Sequence, residues 1–352
     1  MLAFSKNQLD SMALGASLLG SGGGGNPKYS VLTANHLLTN SPVNLLSLNE
    51  LDDNDLVVPI GFMGAPLVGL EKLRSQLELE TIIRLIEKDL GRMPSALSVT
   101  EIGGSNAFTP FYIAGKLGLP IVDADLIGRA FPELQMITTS VHGVKPNACY
   151  MSDSFGNTVT LRCSDLKTVE KYARQMTVSF GSSAAIVLHV LTGKEAKKVM
   201  INGSISTACA LGKAIQKARA EHTRPIDEIM KHAEGSTWLG SGTIVDIDQY
   251  IESGFLQGTV TIQGSKPLPW LIKFQNEYLF VEYDKNNIAA TPDIIALLDA
   301  ETGTPITSES LSYGLRVDIL ILKSPAIWYS KPGLEIVGPS AFQTFNREDA
   351  HV

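Results

Sequence analysis

The sequence predicts an α/β fold, with a parallel or mixed sheet of βαβ units followed by a second, β-rich carboxyl-terminal domain. In the first two thirds, short apolar strands alternate with segments of helical spacing, the pattern of βαβ units. Beyond Glu234-Gly-Ser-Thr-Trp-Leu-Gly-Ser-Gly242 the chain turns strand-rich, with Gly-, Pro- and Asn-containing turns. Its 352 residues exceed what one core commonly supports, so two domains are expected, at 1–238 and 239–352.

Leu9, Met12, Ala13, Ala16 and Leu19 recur at helical spacing, and Gly20-Ser-Gly-Gly-Gly-Gly-Asn-Pro27 must end that helix. A second helix is expected over 28–38. Residues 55–60 form an apolar strand, followed by Gly61-Phe-Met-Gly-Ala-Pro66 and a helix reaching about residue 90. A second strand (96–102) leads into Gly103-Gly-Ser-Asn106 and a helix to residue 117, and a third strand covers 119–124. The apolar run 184–191 reads as buried core, 199–202 as a strand or turn, and 207–220 as a helix. In the second domain, strands are expected at 258–263, 271–274, 278–283 and 315–322. Thr291-Pro292-Asp293 reads as a helix start with proline in its first turn. The polar tail from Asn346 is expected to be loose.

Composition narrows the function. A formal charge of −7 without any Lys/Arg cluster argues against nucleic acid, whose phosphates need a basic surface. No apolar run reaches the roughly 18 residues that span a bilayer. The amino terminus has no cationic stretch ahead of an apolar one, so no signal peptide is expected. Three widely spaced cysteines suit neither a disulfide framework nor a zinc site. The expectation is a cytoplasmic protein with a small-molecule ligand, and homo-oligomeric by base rate.

In parallel α/β sheets, ligands sit beyond the carboxyl ends of the strands. Three such ends carry the 61–66 glycine turn, Gly103-Gly104-Ser105-Asn106, and Asp123-Ala-Asp125 with Gly128-Arg129. Asp123 and Asp125 alternate by two, so an extended segment points both carboxylates to one face. They then need a proton, a metal or Arg129 between them, and a held proton makes an acid/base. Glu133, and Glu71 on the helix after the first strand, are the candidate third and fourth carboxylates, and His142 is the nearest histidine. Asp123, Asp125, Glu71 and His142 are the candidate ligands of a divalent metal such as zinc or manganese, although no H-x-x-x-H spacing exists. A structural Asp–Arg pair is the plainer alternative. The glycine run matches G-x-G-x-x-G but follows a helix rather than a strand, which leaves nucleotide binding weakly supported. Gly23, Gly24 and Gly25 could instead aim backbone N–H groups at an anionic or carbonyl group of a ligand. His189 and Cys209 read as core.

Several phrases together resemble the S-methyl thiohydantoin desulfurase-like family. They are Gly20 to Pro27, Gly64-Ala-Pro66, Ile102-Gly-Gly-Ser-Asn106, Leu119-Pro-Ile-Val-Asp-Ala-Asp125, Gly128-Arg-Ala-Phe-Pro-Glu-Leu-Gln-Met136 and Asp153-Ser-Phe-Gly-Asn157. Asn276-Glu277, Thr291-Pro-Asp-Ile-Ile295, Asp299 to Pro305 and Gly338-Pro-Ser-Ala-Phe342 continue the match. The resemblance implies two domains, hydantoinase or oxoprolinase neighbours, and removal of sulfur or a methylthio group from a thiohydantoin ring. Read from the residues themselves, Asp123, Asp125, Glu133 and Arg129 are the candidate catalytic residues. Gly23, Gly24, Gly25, Gly103, Gly104 and Asn106 are the candidate substrate contacts. The expected reaction is attack of water on the ring, helped by a carboxylate or a metal. A non-catalytic accessory subunit of a hydantoinase-type complex is the alternative.

Overall fold

The computed structural model describes residues 2–40, 43–64, 68, 74–252 and 254–346. The first half is built on a mixed sheet. Its strands are β1 (Leu2–Phe4), β2 (Val43–Leu46), β3 (Leu56–Gly64), β4 (Ala96–Val99), β5 (Ile121–Val122), then β7 (Cys149–Ser152), β8 (Thr158–Leu161), β9 (Ser183–Val187) and β10 (Leu191–Thr192), with β6 (Ala124–Asp125) standing outside it. The order is β1-β2-β5-β4-β3-β9-β7-β8, with β10 also paired to β3. Strands β2, β5, β4 and β3 run parallel, and the flanking strands are antiparallel. Strand β3 is buried along its length except at Gly64, as expected of a strand covered on both faces. It outruns the expected 55–60 because Gly61 to Gly64 pair with β9.

The helix Gln76–Leu90 shows how local signals and packing agree. Ser75 and Glu78 form a capping box, and Gly91 ends the helix with φ of 71°. Leu79, Ile82, Ile83 and Ile86 bury one stripe in the core. The helices Leu9–Leu19 and Ser204–Glu221 cross closely through glycines. A Cβ on Gly15 would lie 1.8 Å from the Ala208 carbonyl oxygen, and one on Gly212 would lie 1.7 Å from that of Ser11. Cys209 is buried in this contact, as its apolar position suggests.

Two expectations change here. The helix expected after Asn106 and reaching residue 117 does not form, and the Gly103–Asn106 loop is itself drawn into the turns that replace it. These are 3-10 turns at Gly104–Tyr112 around Pro110, then a single turn at Ala114–Leu117. The 119–124 strand breaks at Asp123, whose N–H joins Leu46 while its carbonyl accepts from Gly203. Strand β6 then pairs with β11 (Ile201–Asn202).

The second half is an eight-stranded antiparallel sheet among the described residues. It comprises β12 (Thr237–Glu252), β13 (Phe255–Gly264), β14 (Trp270–Gln275), β15 (Glu277–Tyr283), β16 (Asn286–Ala290), β17 (Ile294–Asp299), β18 (Pro305–Ile306) and β19 (Arg316–Leu322). The expected helix start at Thr291 is instead a cis Thr291–Pro292 bond leading into β17. Alternate residues of β17 and β19 enter different cores. Ile295, Leu297, Val317, Ile319 and Ile321 fill the second sheet's own core, whereas Ile294, Ala296, Leu298, Leu320 and Leu322 join that of the first half. No helix among the described residues is long and apolar enough to cross a membrane.

Candidate functional site

The seam between the halves holds a cavity of about 170 Å3. Its polar wall starts at the carboxyl end of β4. Glu101 follows that strand and lines the cavity. Burial pushes its carboxyl up to about 7; the Asn106 hydrogen bond and Arg74 oppose this, and the charge of Asp125 adds to it. Asn106 uses all its capacity. Its Nδ2 donates to Glu101 Oε1 (2.7 Å) and the Phe62 carbonyl (2.9 Å), and its Oδ1 accepts from Phe62 N (2.9 Å) and Arg74 Nη1 (3.2 Å). Arg74 Nη2 donates to Ser105 Oγ (3.0 Å), and its guanidinium lies 4.6 Å from the Phe62 ring centre. Two loops and a strand end are thereby locked around one carboxylate.

Glu277 enters from the second sheet. It starts β15 directly after Asn276, which turns the chain with φ of 57°. Burial raises its carboxyl well above the ordinary range; Glu101 adds to that, while Arg129 and the Gly24 N–H oppose it. Its Oε2 is buried without a hydrogen-bond partner, as is Oγ1 of Thr100, which also lines the cavity.

The glycine run is the joint that admits Glu277. Ser21, Gly22, Gly24 and Gly25 all adopt positive φ. The Ser21 carbonyl accepts from Tyr278 N (2.6 Å) and that of Gly22 from Ser308 N (2.8 Å). A Cβ on Gly22 would strike the Tyr278 ring at 2.5 Å, and one on Gly23 would lie 2.0 Å from Glu277 Oε1. Gly24 packs on Gly103 and Gly104, and its carbonyl accepts from Ser105 N and Oγ, both at 2.8 Å. Of the glycines proposed from sequence, Gly24 and Gly25 line the cavity. Gly23, Gly103 and Gly104 pack behind its wall.

The acidic segment divides its roles. Asp123 is not at the cavity. Its Oδ1 accepts from Ile205 N (2.8 Å) and Ser206 N (3.1 Å), and Oδ2 accepts from Ser206 Oγ (2.5 Å), so it caps the helix Ser204–Glu221. Asp125 is fully buried behind Glu101. Its Oδ2 accepts from Ile102 N and Gly128 N, each at 2.8 Å, and burial takes the carboxyl up to about 7. The break at Asp123 thus parts two carboxylates that an unbroken strand would pair. Arg129 binds neither of them. It is fully buried, and Nη1 donates to the carbonyls of Pro292 (2.6 Å) and Asp293 (2.8 Å) while Nε donates to that of Ala130 (2.8 Å). Burial lowers it to about 10, with the charge of Glu277 opposing. Glu133 is half-buried on the cavity wall, bonded to Gln135.

Among the candidate metal ligands, His142 is exposed at the end of the helix Thr138–Val141, and Glu71 lies outside the described residues. No three His, Cys, Asp or Glu side chains gather as a metal site among the described residues. His189 is core, as expected. It is 1% exposed, held down to about 4 by burial, and lies 3.2 Å from Thr139 Oγ1.

Glu101, Arg74 and Thr100 are absent from the sequence candidates. Glu101 is masked there by reading 96–102 as one strand; its place at a carboxyl strand end, just ahead of two glycines, is the available signal. Arg74 has none, because its role depends on Asn106. Glu277 is visible only as part of a family phrase.

Among proteins of curated function, none matches this chain. A protein from Chromobacterium violaceum with a solved crystal structure shares the fold, at a TM-score of 0.81 and 21% identity over 100% of this chain and 99% of that one. The S-Me-THD-like N-terminal domain matches residues 7–163, and the S-Me-THD-like C-terminal domain matches residues 164–348. The junction falls between β8 and the helix Leu166–Ser179, so the second family domain lends β9 to the first sheet and Glu277 to the cavity. With both domains present in order over nearly its whole length, the chain belongs to the S-Me-THD-like family.

Proposed function

We propose that the cavity hydrolyses thiohydantoin-type five-membered rings. The observation behind this is Glu101, a carboxyl raised to about 7 on the wall of a small cavity and held by Asn106. A group titrating near neutrality can both take and return a proton. In this mechanism Glu101, as carboxylate, accepts a proton from water as the water oxygen attacks C2 of an S-methylated ring. The C2–N double bond opens, and Glu101 passes that proton to the ring nitrogen. Glu101 then takes the remaining proton from the new C2 hydroxyl as the C2 carbonyl forms and the C2–S bond breaks, and delivers it to sulfur, so that methanethiol leaves. Arg74 balances the carboxylate and steadies the negative charge that develops. Thr100 Oγ1 and Glu277 Oε2, both without protein partners, face the ring's polar edge. Asp125 acts from behind through its charge on Glu101, and Glu133 is a second carboxylate within the same cavity. Glu101→Gln is expected to lower kcat by about 100-fold or more while the chain stays folded. Wild-type turnover in that variant would sink the mechanism.

A second reading is a non-catalytic subunit of a hydantoinase-type complex, docking through the β-rich half. Val245, Tyr250 and Ile251 on β12 are about half exposed or more, with Val245 pushed out at a bulge. Co-purification of a hydantoinase that Ile251→Asp abolishes, with no turnover by the isolated chain, favours this reading.

A further inference from the structure

The cavity has two unlike walls. One is the polar chain Glu101–Asn106–Arg74–Ser105, with the unpartnered Thr100 Oγ1 and Glu277 Oε2 beside it. The other is hydrocarbon. Met63, Ile127, Phe131, Ile137, Ile186 and Leu188 line it and belong to one contiguous apolar core, with Leu134 packed against them. This wall is fixed in place. Phe131 is gripped between the Arg129 guanidinium, 4.4 Å from its ring centre, and the edge-on Trp328 ring at 5.1 Å. Trp328 Nε1 in turn donates to the Ile127 carbonyl at 2.7 Å.

The charged side chains that line the cavity on this side are already engaged, and Arg129, whose Nη2 has no hydrogen-bond partner, is fully buried against Phe131 and outside the lining. Arg174 pairs with Glu170 and lies 4.1 Å from the Phe255 ring centre, and Glu133 holds Gln135. A charged substituent laid on the wall loses hydration and gains no free partner. An apolar substituent gains roughly fourfold in binding per buried methylene. The volume of about 170 Å3 is below the roughly 300–1,000 Å3 of pockets for drug-sized ligands, so ring and substituent must both be small.

We infer that this cavity selects rings bearing a short, uncharged, apolar substituent, which lies on the Phe131–Ile186–Leu188 wall while the ring's polar edge meets Thr100 and Glu277. The identity of the ring rests on the hydrolase reading above; the character of the substituent rests on the wall. Calorimetry with the full chain tests it, using hydantoins substituted at C5 with methyl, isobutyl or carboxymethyl groups. These already carry the C2 carbonyl of the product and have no sulfur to lose. The isobutyl compound is expected to bind at least about tenfold tighter than the methyl one, and the carboxymethyl compound more weakly than either. Leu134→Ala, at a half-buried position, is expected to remove about fivefold of the preference for isobutyl over methyl. Binding of the carboxymethyl compound as tight as the isobutyl one overturns the inference while the ring reading stands, as does isobutyl binding no tighter than methyl. If none of the three binds, the ring reading falls and the inference with it.

Discussion

Asn106 Nδ2 donates to Glu101 Oε1 at 2.7 Å, and it does so with the other bonds of its amide committed to Phe62, Arg74 and Thr109. The donor cannot turn away from the carboxylate without releasing the end of β3. This bond favours the charged form of Glu101 and opposes the effect of burial. Asn106→Ala removes it, so the acid limb of the kcat/KM profile is expected to move upward from about 7. An unmoved limb would show that another group titrates in the rate.

Asp125 makes the stability depend on pH. Burial raises its folded carboxyl to about 7, above the ordinary value of 3.8. The folded form therefore binds the proton more tightly. The associated stability is fully present below about pH 4 and is lost as pH rises to about 7. The loss is on the order of a few kcal/mol. Glu101 and Glu277, whose carboxyls burial also raises, contribute in the same direction. Asp125→Asn is therefore expected to make the denaturant-measured stability less steep over that window without flattening it, and an equally steep dependence in the variant would rule this account out.

Asp123 and Glu101 separate capping from chemistry. Asp123→Ala strips the helix Ser204–Glu221 of its cap and is expected to cost about 1–2 kcal/mol of stability. Turnover per folded molecule should stay near wild type. A large kcat loss with native stability would place Asp123 in the mechanism instead.

Gly23→Ala places a methyl group where Glu277 Oε1 now sits, 2.0 Å away. The carboxyl must shift, at a cost of about 1–3 kcal/mol, and hydantoin affinity is expected to fall with it. Unchanged stability and affinity would mean that the carboxyl is free to move.

Much of the fold is legible in the sequence, because β3, β4 and their glycine turns depend on local patterns that burial then reinforces. The cap at Ser75, the stop at Gly20 and the helix before Glu221 are signals of the same local kind. The candidate site is less legible. Asp123 and Asp125 share a face only if the strand is continuous, and the tertiary bonds of Asp123 to Leu46 and Gly203 break it. The glycine run suggests a ligand nest, but Gly22 and Gly23 are small because Tyr278 and Glu277 occupy the space beside them. Both facts depend on residues more than seventy positions away, beyond the reach of periodicity. Arg74 becomes interpretable only once Asn106 is seen to face it.

Strands β17 and β19 give one face to each core, and β9, from the second family domain, completes the sheet of the first. The two family domains are therefore units of descent that do not separate as units of folding. Expressed alone, either would expose an unpaired strand edge and half a core. Denaturation of the whole chain should be a single cooperative event, with the cavity lost at the same midpoint as both sheets.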